Sequence, residues 1–489
     1  MRITTTQPLF AWETLEDSPS LQTLRELLAS LPDHALLDSL RRARGKGRDD
    51  YPIGVLWGTL VLTIALRHAS LEACLGELAR NPALRKLIGI ESEDQVPKKW
   101  NMSRFLEVLG QEPHLTRLHD MFDGMIRWLG EVVVDLGRDT AGDSSSLNAR
   151  PTPGVLKKEK QGRQPTGVKA KDQKKKIKDG SKSSAALGAA LPEPSGGRKE
   201  YTDEDGKVTK ILEWFGYKFH LLVDVRHEVA LAYQISSTKE GDNEVLPALL
   251  KEAQGNLPEG RMKTLAYDKA ADDQKAHRLL HEAKIAPLIQ NRALWKDQTE
   301  QMLPGHDGTS NIVYDEKGTV HCYDKVSDPP VRHPMSYIGH EPDRGTLKYR
   351  CPARHEGWSC PSEKVCNAGK SYGLTVRVKQ EIDLRRFPSI PRATKQFERR
   401  YKGRTAVERV NARVKIFWGA DDGNITGARR FHAHIAAVMV VHAGFATALA
   451  SAPRREPGRT LGQMRLSTVA KALRAKAGVG QNQTETGNG

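Results

Sequence analysis

Residues 216–236 read GYKFHLLVDVRHEVALAYQIS, and this stretch decides the fold. In its first half Tyr217 and Phe219 alternate with Lys218 and His220, the two-residue period of a strand that has one face on a core. A short turn then leads into EVALAYQIS, a second strand-like run. The stretch therefore predicts a β-hairpin.

The residues around this hairpin predict a mixed sheet. Downstream, helix patterns cover Glu244–Ala253 and Asp272–Ala283, one short strand ends at Asp268, and another spans Ala286–Ile289. Upstream, the β-branched run EVVVDLGRDTAGD, near residues 132–143, predicts a first strand. The resulting β-β-β-α-β-α order is the one that a ribonuclease H-like core requires, and sites in such sheets gather at strand ends.

Length and charge indicate several domains and a polyanionic partner. The 489 residues exceed the roughly 250–300 at which a single core stops growing. Lys and Arg, 76 in all, outnumber Asp and Glu, 60 in all, by 16, which favours nucleic acid over a membrane. The opening residues lack a signal-peptide pattern, so the cytoplasm is the expected location.

One apolar stretch, His434–Ala450, is close to the shortest length of a transmembrane helix. It contains His442 and many small residues, which favour a helix buried in protein over a membrane span. We expect a buried helix and no membrane partner.

Two basic segments differ in composition from the rest of the chain. Between Lys157 and Lys182 there are eleven basic residues and three acidic ones, a composition typical of a mobile loop. This loop either contacts phosphates through its charge or is a solvated insertion without a role. The segment after Ala452 is expected to be a partly ordered basic tail.

The segment YKGRTAVERVNARVK, residues 401–415, carries the most specific pattern in the chain. Tyr401, Arg404, Glu408 and Lys415 follow one another at steps of three, four and seven, which a helix places on one face. A carboxylate suits a hard divalent cation, and guanidinium and ammonium groups suit phosphate oxygens. The alternative interpretation is a solvated Arg–Glu pair on an exposed helix.

The Tyr-x2-Arg-x3-Glu-x6-Lys spacing resembles the signature of DDE transposases of bacterial insertion sequences, with every spacing kept. Asp143 in AGDSSSLNA and Asp268 in LAYDKAADD resemble the two aspartate regions of that family. The helical segment from Tyr51 to Leu109 is similar to its amino-terminal domain, which in the family helps bind transposon ends. The alternative for this segment is a helical packing or dimerisation domain.

The resemblance implies a metal-dependent DNA transposase. In it, magnesium or manganese held by Asp143, Asp268 and Glu408 activates water to release a 3′-hydroxyl at the element's end, and that hydroxyl then attacks target DNA. Tyr401 would position terminal phosphates together with Arg404 and Lys415. Double-stranded DNA is the implied partner and a homodimer the implied working form. The alternative is a catalytically inactive, transposase-derived DNA-binding protein.

Several residues leave a choice open. Asp139 would face the same side of an unbroken strand as Asp143 and competes as the first metal ligand. Asp272 and Asp273 are interpreted as helix-start residues. Trp418 either anchors the core or stacks on a base.

An insertion is expected between Asp268 and Glu408, because the 139 residues that separate them are too many for one loop. It holds four of the five cysteines, with two histidines close by, which are the residue types that bind structural zinc. The spacing lacks CxxC pairs, so reduced cysteines without metal, or a disulfide, are the alternatives. These residues are Cys322, Cys351, Cys360, Cys366, His321 and His355.

The sequence thus predicts a mixed α/β protein with a helical amino-terminal domain and a ribonuclease H-like catalytic domain interrupted by insertions. The predicted segments are the helical domain at 1–125, the first catalytic strand at 130–150, the Lys-rich insertion at 151–200, the catalytic core at 201–290, the cysteine-containing insertion at 291–385, the carboxy-terminal part of the core at 386–452 and the basic tail at 453–489.

Overall fold

A computed structural model describes most of the chain. The described residues are 19–46, 50–150, 191–202, 207–295, 299–305, 311–422 and 425–451. Residues 151–190, which make up most of the Lys-rich insertion, and the basic tail at 453–489 lie outside them. The interpretations of these residues therefore stay predictions. Residues 195–200, also predicted to belong to the flexible insertion, instead lie in a strand that pairs with residues 208–216.

The amino-terminal region is helical, as predicted. Local capping sets some of its boundaries: the Ser70 hydroxyl accepts the Ala73 N–H at 3.1 Å, and the Asn81 side chain accepts the Leu84 N–H at 3.1 Å. The helices are α1 (Pro19–Ser30), α2 (His34–Arg44), α3 (Ile53–Ala65), α4 (Leu71–Arg80), α5 (Pro82–Lys86), α6 (Lys99–Leu109) and α7 (His114–Val132).

A mixed sheet of six strands forms the centre of the molecule. Its strands are β1 (Asp139–Asn148), β2 (Ser195–Thr202), β3 (Val208–Asp224), β4 (Ala230–Ser236), β5 (Thr264–Tyr267) and β6 (Ala286–Ile289). The core order is β4-β3-β1-β5-β6, and β2 pairs with the first half of β3. The strand pairs β4–β3 and β3–β1 are antiparallel, whereas β1–β5 and β5–β6 are parallel.

Helix α8 (Asp242–Gly255) connects β4 to β5, and helix α9 (Gln274–Glu282) connects β5 to β6. The hairpin predicted from residues 216–236 is the β3–β4 pair. The mixed α/β fold predicted from the sequence is confirmed, and the strands and helices follow one another along the chain as predicted, with β2 as an additional strand.

The predicted position of the first strand, near residues 132–143, was wrong. Helix α7 continues through Val132 because its apolar residues keep the helical spacing up to Leu129. The strand begins only at Asp139, after Gly137, which has a φ of +79° and donates its N–H to Asp224. Asp143 consequently lies in the middle of β1 and does not end it.

The apolar helix α14 (Ala428–Ser451) lies at the centre of the core. By length and composition it is the one helix in the described part of the chain that could cross a membrane, but 78% of its apolar window is buried within the protein. A Cβ on Gly444 would meet Leu27 of α1 at 3.0 Å, so this helix packs closely on α1. The amino-terminal helices and the sheet share one hydrophobic cluster.

The insertion has a hydrophobic cluster of its own. One sheet contains β7 (Glu300–Met302), β8 (Ile312–Asp315), β9 (Val320–Asp324) and β10 (Val331–Pro334), and the other contains β11 (Ser336–Glu341), β12 (Thr346–Arg350) and β13 (Thr375–Lys379). Two short helices, α10 (Pro352–Glu356) and α11 (Glu363–Cys366), separate β12 from β13.

The chain then returns to the central sheet as a helical run. It consists of α12 (Lys395–Tyr401), a 3₁₀ turn (Lys402–Arg404), α13 (Thr405–Ala412) and a π-helical turn (Arg413–Phe417). The run is continuous, but its pitch first tightens and then widens, so it is not the regular helix that the spacing predicted.

Candidate active site

Asp143 lies at the centre of the sheet, on β1 between β3 and β5. Its Oδ1 accepts the Ser144 N–H at 2.9 Å, and 23% of its side chain is exposed. The neighbouring Gly142 faces the other side of the strand, where a Cβ would meet the Tyr267 ring at 2.4 Å. Glycine at this position therefore allows β5 to carry a large aromatic residue next to β1.

Asp268 follows β5, the parallel neighbour of β1. The register pairs Ala141 with Ala266, so its continuation places Asp268 beside Asp143 on adjacent strands. Asp268 also begins a short 3₁₀ turn, where its carboxylate accepts the Lys269 N–H at 2.7 Å. The two aspartates thus come from different strands and reach the same part of the sheet.

Arg404 joins the helical run to the sheet carboxylates. Its Nη2 donates to Glu408 Oε1 at 2.6 Å, and its Nη1 lies 3.8 Å from Asp143 Oδ2. The negative charge of Asp268 also raises the pKa of Arg404. The guanidinium therefore lies near three carboxylates that are distant in sequence: Asp143 and Asp268 are 125 positions apart, and Asp268 and Glu408 are 140 positions apart.

Electrostatics supports this convergence. Burial raises the pKa of Asp143 to about 6, and the nearby charge of Asp268 acts in the same direction. The Arg404 guanidinium and the Ser144 N–H oppose this rise. Carboxylates that repel one another at a partly buried position form a donor set that suits a hard divalent cation. The side-chain types at this position therefore fit a hard divalent cation. Among the described residues, the carboxylate oxygens of Asp143, Asp268 and Glu408 do not all lie within 4.8 Å of one another, so a bound cation would draw them closer together.

Comparison with known families gives two matches. Residues 143–443 match the family described as Transposase DDE domain. The chain belongs to the DDE transposase family. Residues 12–107 match a second family, described as Transposase domain (DUF772), over the amino-terminal helices. No curated protein sequence matches the chain.

Family membership indicates the general chemistry of the transposase. A DDE transposase domain implies DNA binding, phosphoryl transfer and the use of a divalent metal. The matched region begins at Asp143 and includes Asp268 and Glu408. The assignment of these three residues as the metal ligands stays a prediction.

The other two signature residues contact protein groups. Lys415 donates to Ser145 Oγ at 3.0 Å and lies 3.3 Å from Asp421. Ser145 is two residues beyond Asp143 on the same face of β1, so Lys415 lies along the strand that carries the first aspartate. Tyr401 is half-buried and stacks on Phe397, with ring centroids 5.6 Å apart.

Asp139, the competing first ligand, has other partners in the transposase. It accepts a hydrogen bond from the Thr264 hydroxyl at 2.7 Å and pairs with Arg400 at 3.5 Å. Its side chain is 46% exposed at the start of β1. The Arg404 and Glu408 pair lies beside Asp143 instead.

Sequence reasoning missed the residue that seats the helical run. Glu228, buried in the β3–β4 turn at a φ of +55°, accepts from Arg409 at 2.7 Å and from Arg413 at 2.8 Å. Both arginines lie between Glu408 and Lys415 in the helical run. No local pattern marks Glu228, because its partners are more than 180 residues away.

Two further interpretations can now be compared with the structure. Asp273 caps α9, as predicted, by accepting the Ala276 N–H at 2.7 Å. Asp272 does not cap this helix. It is buried and pairs with Arg385 at 2.8 Å and with Arg392 at 3.0 Å, and these ion pairs connect the end of the insertion to the core. Trp418 is 4% exposed and stacks on Phe445, so it anchors the core.

Proposed function

We propose that the chain is the transposase of an insertion sequence, of the Tyr-Arg-Glu-Lys signature type, which cuts DNA strands at the element's ends and joins them to target DNA. The observation that carries this proposal is the meeting of Arg404 with Asp143 and Glu408, next to Asp268 on the adjacent strand. Three acidic residues from separate elements are the donor set that metal-dependent phosphoryl transfer requires.

Asp143, Asp268 and Glu408 would hold magnesium or manganese. When bound, such ions polarise a phosphoryl oxygen, lower the pKa of water and neutralise developing charge. Glu408 is more accessible than Asp143, the other proposed ligand that pairs with Arg404, and 49% of its side chain is exposed. It can therefore adjust its position when DNA and metal arrive.

Arg404 would bind a terminal phosphate. Its guanidinium has five N–H donors in a planar fork, and the contacts to Asp143 and Glu408 use Nη1 and Nη2 at distances of 3.8 and 2.6 Å. The longer contact leaves Nη1 able to turn toward a phosphate oxygen, for which a guanidinium fork is well matched. Arg404 would thus balance the carboxylates before DNA binds and position DNA afterwards.

Lys415 and Tyr401 would complete the phosphate contacts. The Lys415 ammonium pairs with Asp421 at 3.3 Å, and a DNA phosphate would replace this carboxylate. Tyr401 presents its phenol close enough to Arg404 to share a hydrogen bond. The working form would be a homodimer in the cytoplasm, bound to the nucleoid, because two element ends must be joined.

A transposase-derived DNA-binding protein without catalysis is the second candidate. The observation that favours it is the direct Arg404–Glu408 ion pair at 2.6 Å, which neutralises the carboxylate that a metal would need. On this alternative the same face binds phosphate but no cation.

The test is cleavage of a supercoiled plasmid that carries the DNA flanking the chain's own gene, with magnesium or manganese. We expect cutting at the ends that is lost in Asp143→Ala, Asp268→Ala and Glu408→Ala, and retained in Asp139→Ala. DNA affinity should stay within a few-fold of wild type in Glu408→Ala, because phosphate contacts lie elsewhere. Tight end binding without any wild-type cutting would support the second candidate, and cutting that survives Glu408→Ala would contradict the proposed triad.

A further inference from the structure

Four cysteines of the insertion line one cavity of about 20 Å³. Cys322 lies on β9, Cys351 follows β12, Cys360 lies in the next loop and Cys366 ends α11. The space exceeds the roughly 10–15 Å³ that one water-sized probe occupies. The fold thus gathers thiols that their spacing in the sequence does not group.

Side-chain amides donate hydrogen bonds to two of the sulfurs. Asn367 Nδ2 lies 3.7 Å from Cys351 Sγ, and Asn311 Nδ2 lies 3.9 Å from Cys366 Sγ. Asn367 is 7% exposed, and the Leu374 N–H fixes its orientation by donating to Oδ1 at 2.6 Å. N–H donors of this kind favour a thiolate over a thiol, and they are the usual outer partners of metal ligands.

The four thiols share this one cavity. A divalent metal bound here would remove the protons of the sulfurs that coordinate it. The amide donors and the crowding of thiols therefore suit a site built for a thiophilic metal ion.

The insertion also lacks a large core. Its cluster contains ten buried apolar residues, shared between the β7–β10 sheet and the β11–β13 sheet. A metal ion that binds only the folded insertion would add to the stability that this core provides. Cys322 lies in the first sheet, and Cys351 directly follows β12 of the second, so one ion bound to both would link the two sheets.

We propose that Cys322, Cys351, Cys360 and Cys366 bind one structural zinc ion in a tetrahedral tetrathiolate site. Among the described residues, neither of the two nearby histidines lines the cavity. His321 pairs with Asp315 at 3.3 Å instead.

Zinc binding would contract the site. Zn–S bonds of about 2.3 Å place tetrahedral sulfurs about 3.8 Å apart. Across the described ranges, three ligand atoms within 4.8 Å of one another occur only at His119, Asp123 and Glu252. The four cysteine sulfurs are therefore farther apart than a zinc ion would hold them. The His119 imidazole pairs with Glu252 at 3.2 Å, so ion pairing accounts for the group at His119.

The experiment uses elemental mass spectrometry to measure the metal content of the full chain purified from zinc-supplemented cells. We expect one zinc per chain in wild type and at least a fivefold loss in Cys351→Ser and Cys366→Ser. Cys74→Ser is the matched control, because Cys74 is buried in the helical region and lies outside the cavity. Glu408→Gln should keep its zinc, which separates this site from the proposed catalytic one.

A second variant guards against misfolding. Cys366→His keeps a zinc ligand, so it should retain the metal, and its cobalt-substituted form should show weaker sulfur-to-metal absorption than cobalt-substituted wild type. Wild type that holds neither zinc nor cobalt would overturn the proposal. Zinc content unchanged in Cys351→Ser and Cys366→Ser, or disulfides among the four cysteines in chain purified under reducing conditions, would overturn it as well.

Discussion

Replacing Asp143 by Asn should stabilise the folded chain while abolishing DNA cleavage. Burial and the charge of Asp268 raise the pKa of Asp143 to about 6, above its ordinary value of 3.8. Between these values the folded state binds more protons than the unfolded state, so the stability of the wild type falls as the pH rises through this window. Asn carries no charge and removes this loss, yet its oxygen can still accept the Ser144 N–H.

The size of the effect follows from the pKa difference. Each pKa unit corresponds to about 1.36 kcal/mol, so the difference gives at most about 3 kcal/mol at pH 8. Because 23% of the side chain is exposed, solvent screening should reduce the gain to about 1–3 kcal/mol. For a chain of 489 residues, an unfolding entropy of about 2.1 cal/mol/K per residue converts this to about 1–3 °C in Tm.

The assay is thermal unfolding of wild type, Asp143→Asn and Asp139→Asn from pH 4 to pH 8 without divalent metal. The advantage of Asp143→Asn should be absent near pH 4, grow up to about pH 6 and then stay constant. Asp139→Asn is the matched control on the same strand, and it should be no more stable than wild type because it weakens the contacts to Thr264 and Arg400.

Magnesium adds a second readout to the same assay. Ligands that bind only the folded state raise its stability, so magnesium should raise the Tm of wild type and of Asp139→Asn but not that of Asp143→Asn. An Asp143→Asn protein that is less stable than wild type at pH 8, or whose advantage does not change with pH, would show that the Asp143 charge does not destabilise the folded chain.

Three other substitutions test separate parts of the structure. Glu228→Ala leaves Arg413 buried without its carboxylate and should cost about 3–5 kcal/mol in urea unfolding; a cost below 1 kcal/mol would contradict its role in seating the helical run. Trp418→Ala should cost about 3–5 kcal/mol and leave the DNA affinity of folded protein unchanged; stability equal to wild type with weakened DNA binding would instead indicate base stacking. Arg404→Ala should weaken end binding and reduce the slope of log affinity against log salt by about one, as expected for one lost phosphate contact; an unchanged slope would place Arg404 away from the DNA.

Local patterns predicted the elements whose side chains alternate or repeat clearly. The β3–β4 hairpin and strand β6 at Ala286–Ile289 lie where their sequences predicted them. Strand β1 was misplaced because AGDSSSLN has no apolar alternation. It is a strand because β3 and β5 pair with it on both sides, as in the Asp143 and Leu221 pair, and such partners are not visible in local sequence.

The site shows the same division. Helical spacing predicted that Arg404 and Glu408 are neighbours, and they are in contact. The contact of Arg404 with Asp143 crosses 261 positions of sequence and depends on how the helical run is seated. The gathering of the four insertion cysteines likewise depends on the packing of two sheets. The spacing of residues in the sequence indicated the candidate site residues, and tertiary packing determines which side chains they contact.

The most direct test of the central claim is a crystal structure of the chain bound to end DNA and manganese, read from the anomalous scattering of the metal. We expect manganese peaks bounded by the carboxylates of Asp143, Asp268 and Glu408, with the Arg404 guanidinium turned from Asp143 toward a phosphate. A peak at Asp139, a peak only at His119, Asp123 and Glu252, or no peak beside DNA bound at this face would contradict it.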